Sequence, residues 1–133
     1  MSEREHSSKL DIDDIGYIYI MTVVINGRKY LKIGKTIDTT RRLLDYNRHL
    51  PVDICSYDYV SDLMYNISTI ENNILFKMKN LKHLVTVGNK REWFSINRGA
   101  KGAIRSMDRH ISSLVLEIED YATTYYQEKL WKS

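Results

Sequence analysis

The chain has little of the residue types that staple a fold or hold a metal without help. Of 133 residues, one is cysteine, one is proline and six are glycine. A lone Cys55 excludes an internal disulfide and a cysteine-based zinc cluster, and reads as a small buried hydrophobe. The four histidines, His6, His49, His83 and His110, do not stand at metal-ligand spacing. No apolar run is long enough to span a bilayer, and Met1 to Lys9 lack the apolar core of a signal peptide. The expected setting is therefore soluble and intracellular, in a reducing compartment and without a membrane partner. Neither sign of charge dominates. Twenty Lys and Arg against 17 Asp and Glu leave +3, which permits a nucleic-acid partner without requiring one.

What the chain does have is tyrosine, ten residues of it, and 43% apolar residues, enough for one modest core. Residues 1–13 carry no apolar periodicity and read as a loose arm; 14–133 read as a single domain. From Ile15 the sequence is β-branched and aromatic up to Asn26-Gly27, a strong two-residue hairpin signal, which predicts strands over about 16–25 and 28–34. Alternation places Tyr17, Tyr19 and Met21 on one face of the first strand and Ile18, Ile20 and Thr22 on the other, one face for a core and one for a site. Asp38 or Thr39 can cap a helix running to about Asn47 or His49, with Leu43, Leu44 and Leu50 on its buried side and Arg42 and Tyr46 one turn apart.

Pro51 breaks the chain, and 52–60 alternates as a third strand on which Val52, Ile54, Ser56, Asp58 and Val60 share a face. Ser61 or Asp62 is the expected cap of a second helix, in which Ile67, Ile70, Ile74, Leu75, Met78 and Leu81 recur at helical spacing. Glu71 stands at the edge of that apolar stripe, where a carboxylate needs a partner or a metal. Gly88-Asn89-Lys90 is a turn, Arg91 to Ile96 a short aromatic strand or edge segment, and Gly99 and Gly102 precede a long amphipathic helix over about 103–131. The expected architecture is α/β in the α+β sense, a small, mainly antiparallel three-stranded sheet flanked by helices.

Hydrolysis of a phosphodiester needs a base for water, a cation for the phosphoryl oxygens and help for the leaving oxygen. A tyrosine serves as base only if positive charge brings its pKa well below about 10. Lys32 and Lys35 lie on the adjacent strand or its exit and Arg42 on the helix that follows, where they could supply that charge, and Arg41 adds a further phosphate-binding side chain.

The order Tyr17-Ile18-Tyr19, then Lys32-Ile33-Gly34, then an arginine helix resembles the GIY-YIG nuclease superfamily over roughly residues 15–97. The resemblance implies a DNA endonuclease with one Mg²⁺ or Mn²⁺ ion. Tyr19 falls on that superfamily's catalytic tyrosine, and Lys32 stands where many members have tyrosine and restriction-type members have an activating lysine. Arg42 falls on the helix arginine, Tyr46 on a tyrosine-or-histidine position and Glu71 on the metal-binding glutamate. Arg91-Glu92-Trp93-Phe94 resembles the Glu-Trp-Phe element of a small phage and large-DNA-virus branch, in which Phe76 stands at a position that often carries histidine; Asn97 matches a late asparagine of some members. The composition, rich in Ile, Lys, Asn and Tyr, suits an AT-rich viral or phage genome, with the host cytoplasm or nucleus as the site of action.

Each position also has a structural explanation. Tyr17 and Tyr19 suit any strand, Lys35 and Arg42 any solvated surface, and Glu71 an ion pair with Lys77 or Lys35. Trp93 and Phe94 suit core packing better than base stacking. Two other functions compete with cleavage. One is a DNA-binding or protein-interaction module on the same fold. The other is an oligomer whose last helix, ending in Tyr121, Tyr125, Tyr126, Leu130 and Trp131, meets a second copy or a specificity partner.

Overall fold

Asn26 and Gly27 take positive φ, 52° and 76°, and turn the chain back on itself between β1 (Ile15–Ile25) and β2 (Arg28–Thr36). The two strands pair without interruption from Ile25↔Arg28 to Tyr17↔Thr36. The computed structural model describes residues 13–48, 55–80, 84–87, 93–96 and 103–132. The remaining elements are α1 (Thr39–Asn47), β3 (Ser56–Val60), β4 (Met64–Tyr65), α2 (Ile67–Lys79), β5 (Leu84–Val87), β6 (Trp93–Ile96) and α3 (Ala103–Lys132). This is the expected mixed fold with a long C-terminal helix.

The sheet is larger than the three strands expected. Among the described residues it has six, all antiparallel, in the order β3-β1-β2-β6-β5, with β4 paired to Ile15 and Gly16 of β1. The four residues of β5 are too few for alternation to distinguish them from the end of the preceding helix. Residues 1–12 of the expected arm, Leu50, Pro51 to Ile54, Leu81, the turn at 88–90, Arg91, Glu92, Asn97, Gly99 and Gly102 lie outside the described residues, as do the side chains of Tyr125, Tyr126, Leu130 and Trp131.

Both faces of β1 are buried, in different company. Ile18 and Ile20 join Leu31, Ile33, Phe94 and Ile96 under the apolar stripes of α2 (Ile67, Ile70, Ile74, Met78) and α3 (Met107, Ile111, Leu114, Ile118). Each such side chain contributes about 1.5–3 kcal/mol of burial. Tyr19, Met21 and Val23 form a second cluster with Cys55, Tyr30, Leu43, Tyr46, Tyr57 and Trp93, under α1. Cys55 is buried and carries a free thiol, as expected. In α1, Leu43 packs inward, whereas Leu44, expected on the buried side, is 60% exposed. At its end the Asn47 amide donates to the Cys55 carbonyl (3.1 Å) and accepts from the Cys55 N–H (3.0 Å), tying the helix to the start of β3.

The expected common face of Ser56, Asp58 and Val60 does not survive intact. Pairing with β1 runs Tyr19↔Val60, Ile20↔Tyr59, then Met21↔Tyr57 and Thr22↔Ser56, so Asp58 is an extra residue in β3. A bulge of this kind shifts alternation by one. Tyr57 consequently joins the α1-side cluster and Tyr59 the α3-side core, although they are two residues apart. There, burial and Glu119 push the Tyr59 phenol up to about 12.

The start of α2 also differs. Ser61 accepts from the Ile18 N–H at 3.0 Å, and Met64 and Tyr65 form β4 before the helix begins at Ile67. Asn66, in the cap position, takes left-handed φ and makes no side-chain cap bond. Asp14, immediately before β1, caps instead: its carboxylate accepts from the Ser68 N–H at 2.9 Å and the Ser68 hydroxyl at 2.7 Å.

Candidate active site

Tyr19 faces Gly34 across the hairpin, and its phenol lies over that glycine so closely that a Cβ there would stand 2.2 Å from the hydroxyl oxygen. The glycine makes room for the ring. Tyr57 meets Tyr19 edge-on, with ring centroids 5.3 Å apart, and donates its hydroxyl to the Thr39 carbonyl in the first turn of α1 at 2.6 Å. Asp38 fixes the same turn, accepting from the Arg41 N–H on its side chain and the Arg42 N–H on its carbonyl. One turn after Arg42, Tyr46 reaches Tyr19 by a hydrogen bond, packs against Trp93 at 6.0 Å between centroids and lies beneath the Lys32 ammonium, 5.8 Å from its ring centre. Trp93 and Phe94 both pack, as expected: Trp93 against this cluster, Phe94 in the other.

The electrostatics depart from the expectation of a tyrosine activated by cations. Tyr19 is 2% exposed, and its pKa is raised far above the ordinary tyrosine value. Burial is the main cause, Tyr46 adds to it through charge and hydrogen bonding, and Arg42 pulls the other way without prevailing. The phenol therefore stays protonated. The cation that lowers it is Arg42, while Lys32 stands over Tyr46.

Glu71 comes in from α2, half-buried. Burial raises its pKa, Lys35, Lys32 and Arg42 oppose that rise, and Asp14 reinforces it. One carboxylate thus stands among three of the four cations picked from the sequence. Lys77, the other candidate partner, turns away to pair with Glu117 of α3 at 2.6 Å. Lys35 donates to the Ser68 hydroxyl, which donates in turn to Asp14. Arg41 is exposed on α1, and Phe76 is exposed on α2. Tyr19, Lys32, Lys35, Arg42, Tyr46 and Glu71 are brought together; Arg41 stands on the neighbouring surface. Three participants have no signal in the sequence: Tyr57, Asp14 and Ser68 enter through a bulge and a cap that depend on residues far away along the chain.

The donor set fits a hard, hydrated cation in one circumstance. Among the described residues no group of three or more His, Cys, Asp or Glu assembles. Mg²⁺ needs only one or two carboxylates when phosphate and water complete its shell. Glu71 can supply that one, and the surrounding Lys35, Lys32 and Arg42 favour an anion beside it.

Basic side chains around a half-buried carboxylate, beside the buried Tyr19 and the half-buried Tyr46, on an antiparallel sheet with helices against both faces, make up a small α+β domain. The chain belongs to the T5orf172 domain family, whose profile matches residues 16–112, from β1 into α3. Neither the curated proteins nor the solved structures give a match. Among the described residues, no helix is long and apolar enough to cross a membrane.

Proposed function

We propose that this domain is a metal-dependent DNA endonuclease that works in the manner of the GIY-YIG nucleases. The observation that carries the reading is the convergence of Tyr19, Tyr46, Arg42, Lys32, Lys35 and Glu71, from two strands and two helices, on one place. Arg42 and Lys35 receive the phosphate, with Arg41 holding a flanking one. Glu71 would hold a single Mg²⁺ or Mn²⁺, which when bound would supply positive charge for the phosphoryl and leaving oxygens.

The raised pKa of Tyr19 selects a relay over a standing phenolate. As water attacks phosphorus, its proton moves to the Tyr19 oxygen, the Tyr19 proton passes along the hydrogen bond to Tyr46, and Tyr46 releases one to solvent. No free phenolate has to exist at any stage. Lys32, over the Tyr46 ring, adds to the cationic surroundings into which the phosphate is received. Arg42 takes the charge that develops on the phosphoryl oxygens.

The same cationic cluster also suits a module that binds DNA without cutting it, since three cations, Lys35, Lys32 and Arg42, outnumber the two carboxylates there, Glu71 and Asp14. Supercoiled plasmid and a branched DNA, incubated with wild type and Glu71→Ala in Mg²⁺, Mn²⁺ or EDTA, separate the two. Nicking that requires metal and falls about 10²–10³-fold in the variant supports the nuclease. Salt-sensitive DNA retention with no cleavage by either protein makes the domain a binding module.

A further inference from the structure

Three features meet at the β3 bulge: the extra residue, the polar groups that hold it, and a third tyrosine, Tyr57, against Tyr19. Asp58 accepts from the Thr22 hydroxyl at 2.6 Å and pairs with Lys29 at 3.2 Å, and Lys29 also reaches Asp108 of α3 at 2.9 Å. Thr22 is 4% exposed, on the β1 strand that β3 pairs with. The bulge is thus pinned from β1, β2 and α3 together. Bulges cost a ladder position and persist where they aim a side chain.

The side chain aimed is Tyr57. In regular alternation Tyr57 and Tyr59 would share a face. The extra residue sends Tyr59 to the α3-side core and Tyr57 to the α1 side, where its ring braces Tyr19 and its hydroxyl anchors Thr39, three residues before Arg42. We propose that Tyr57, turned onto the site by the Asp58 bulge, is the positioning residue that fixes both Tyr19 and the first turn of α1. This rests on the reading of the site given above. Tyr57 touches neither phosphate nor metal in that reading; it acts through Tyr19 and through the helix that carries Arg42. A phenol suits the task because its ring is rigid and its hydroxyl, in a half-buried place, finds an acceptor in a helix carbonyl.

The test reads Tyr19 directly in the full chain. Tyrosines labelled with ¹³C at Cζ give one signal each, and the Tyr19 signal is the one lost in Tyr19→Phe. Tyr57→Phe removes the anchor and keeps the ring, Thr22→Val removes the hydroxyl that pins Asp58, and Thr22→Ser keeps that hydroxyl. Lys77→Met removes an ion pair between α2 and α3 and serves as the purely structural comparison. The Tyr19 signal is expected to shift in Tyr57→Phe and Thr22→Val and to stay in Thr22→Ser and Lys77→Met. With plasmid, kcat should fall about fivefold in the two shifted variants, the loss of roughly one hydrogen bond, with KM within about twofold of wild type. A Tyr19 signal that stays at its wild-type position in both Tyr57→Phe and Thr22→Val overturns the proposal. Shifted signals with no cleavage by wild type overturn the nuclease reading and leave the bracing of Tyr19 by Tyr57 supported.

Discussion

Gly34→Ala is the sharpest probe of how the site is built. Among the described residues Gly27 is the glycine at positive φ, so alanine at 34 meets no backbone strain, and its whole effect is steric. The new Cβ would stand 2.2 Å from the Tyr19 hydroxyl oxygen and 2.3 Å from Cζ. Carbon atoms in contact settle at about 3.5–4.0 Å, so the phenol has to withdraw by more than ~1 Å. It has nowhere easy to go: Tyr57 and Tyr46 crowd it, and the ring is buried. Overpacking of this kind costs ~2 kcal/mol, a fall in Tm of roughly 8 °C for a chain of this size. If Tyr19 is the general base proposed above, a displacement of that size also slows turnover by ~100-fold. Thermal melts and plasmid nicking measure the two effects. A double-mutant cycle isolates the cause. In a Tyr19→Ala background the ring is gone, and Gly34→Ala should cost less than about 0.5 kcal/mol. An equal penalty in both backgrounds, or a Gly34→Ala protein that melts and cuts like wild type, refutes the packing of Tyr19 on Gly34.

Glu71→Gln should stabilise the protein at neutral pH while abolishing cleavage. Burial raises the Glu71 carboxyl above its ordinary value near 4.3, so the folded chain binds that proton more tightly than the unfolded chain. The penalty is absent below the unfolded value, grows as pH rises toward the folded one and is complete above it. Melts should therefore coincide for the two proteins in acid and favour the glutamine variant at pH 7; a less stable variant at pH 7 would make the carboxylate a net stabiliser. Asn47→Ala leaves the Cys55 N–H and carbonyl without their partner at a site that is only 8% exposed, and should cost about 2–3 kcal/mol in denaturant melts. Asn47→Asp should be worse at pH 7 than in acid, because only the protonated side chain can still donate to the Cys55 carbonyl; a deficit that does not change with pH counts against the clamp.

Local signals carried much of this structure. Asn26-Gly27 set the hairpin and its register, Asp38 announced α1, and the stripe from Ile67 to Met78 announced α2. The grouping of Lys32, Arg42, Tyr46 and Glu71 with Tyr19 came from the resemblance to the GIY-YIG superfamily rather than from local signals on those elements. What was not legible depends on distant partners. The cap of α2 comes from Asp14, 54 residues before Ser68, and the bulge at Asp58 is held by Thr22, 36 residues away. Neither changes the local pattern. Leu44 was misplaced because α1 is covered on one flank only, by a cluster richer in aromatics than in leucine. The direction of the Tyr19 shift was hidden for a similar reason: spacing brings cations near a phenol, but burial from three elements decides the sign.

β1 is a strand with two different interiors, aliphatic on one side and phenolic on the other. A one-residue slip of the hairpin would push the Tyr19 phenol into the isoleucine core and leave Ile18 or Ile20 facing Arg42 and Tyr46. Such a chain would lose its aliphatic core and its phenolic cluster together. Quality control of the fold and of the phenolic cluster is then a single event, decided at Asn26-Gly27, and molecules that survive folding arrive with Tyr19 already in place beside Tyr46 and Arg42.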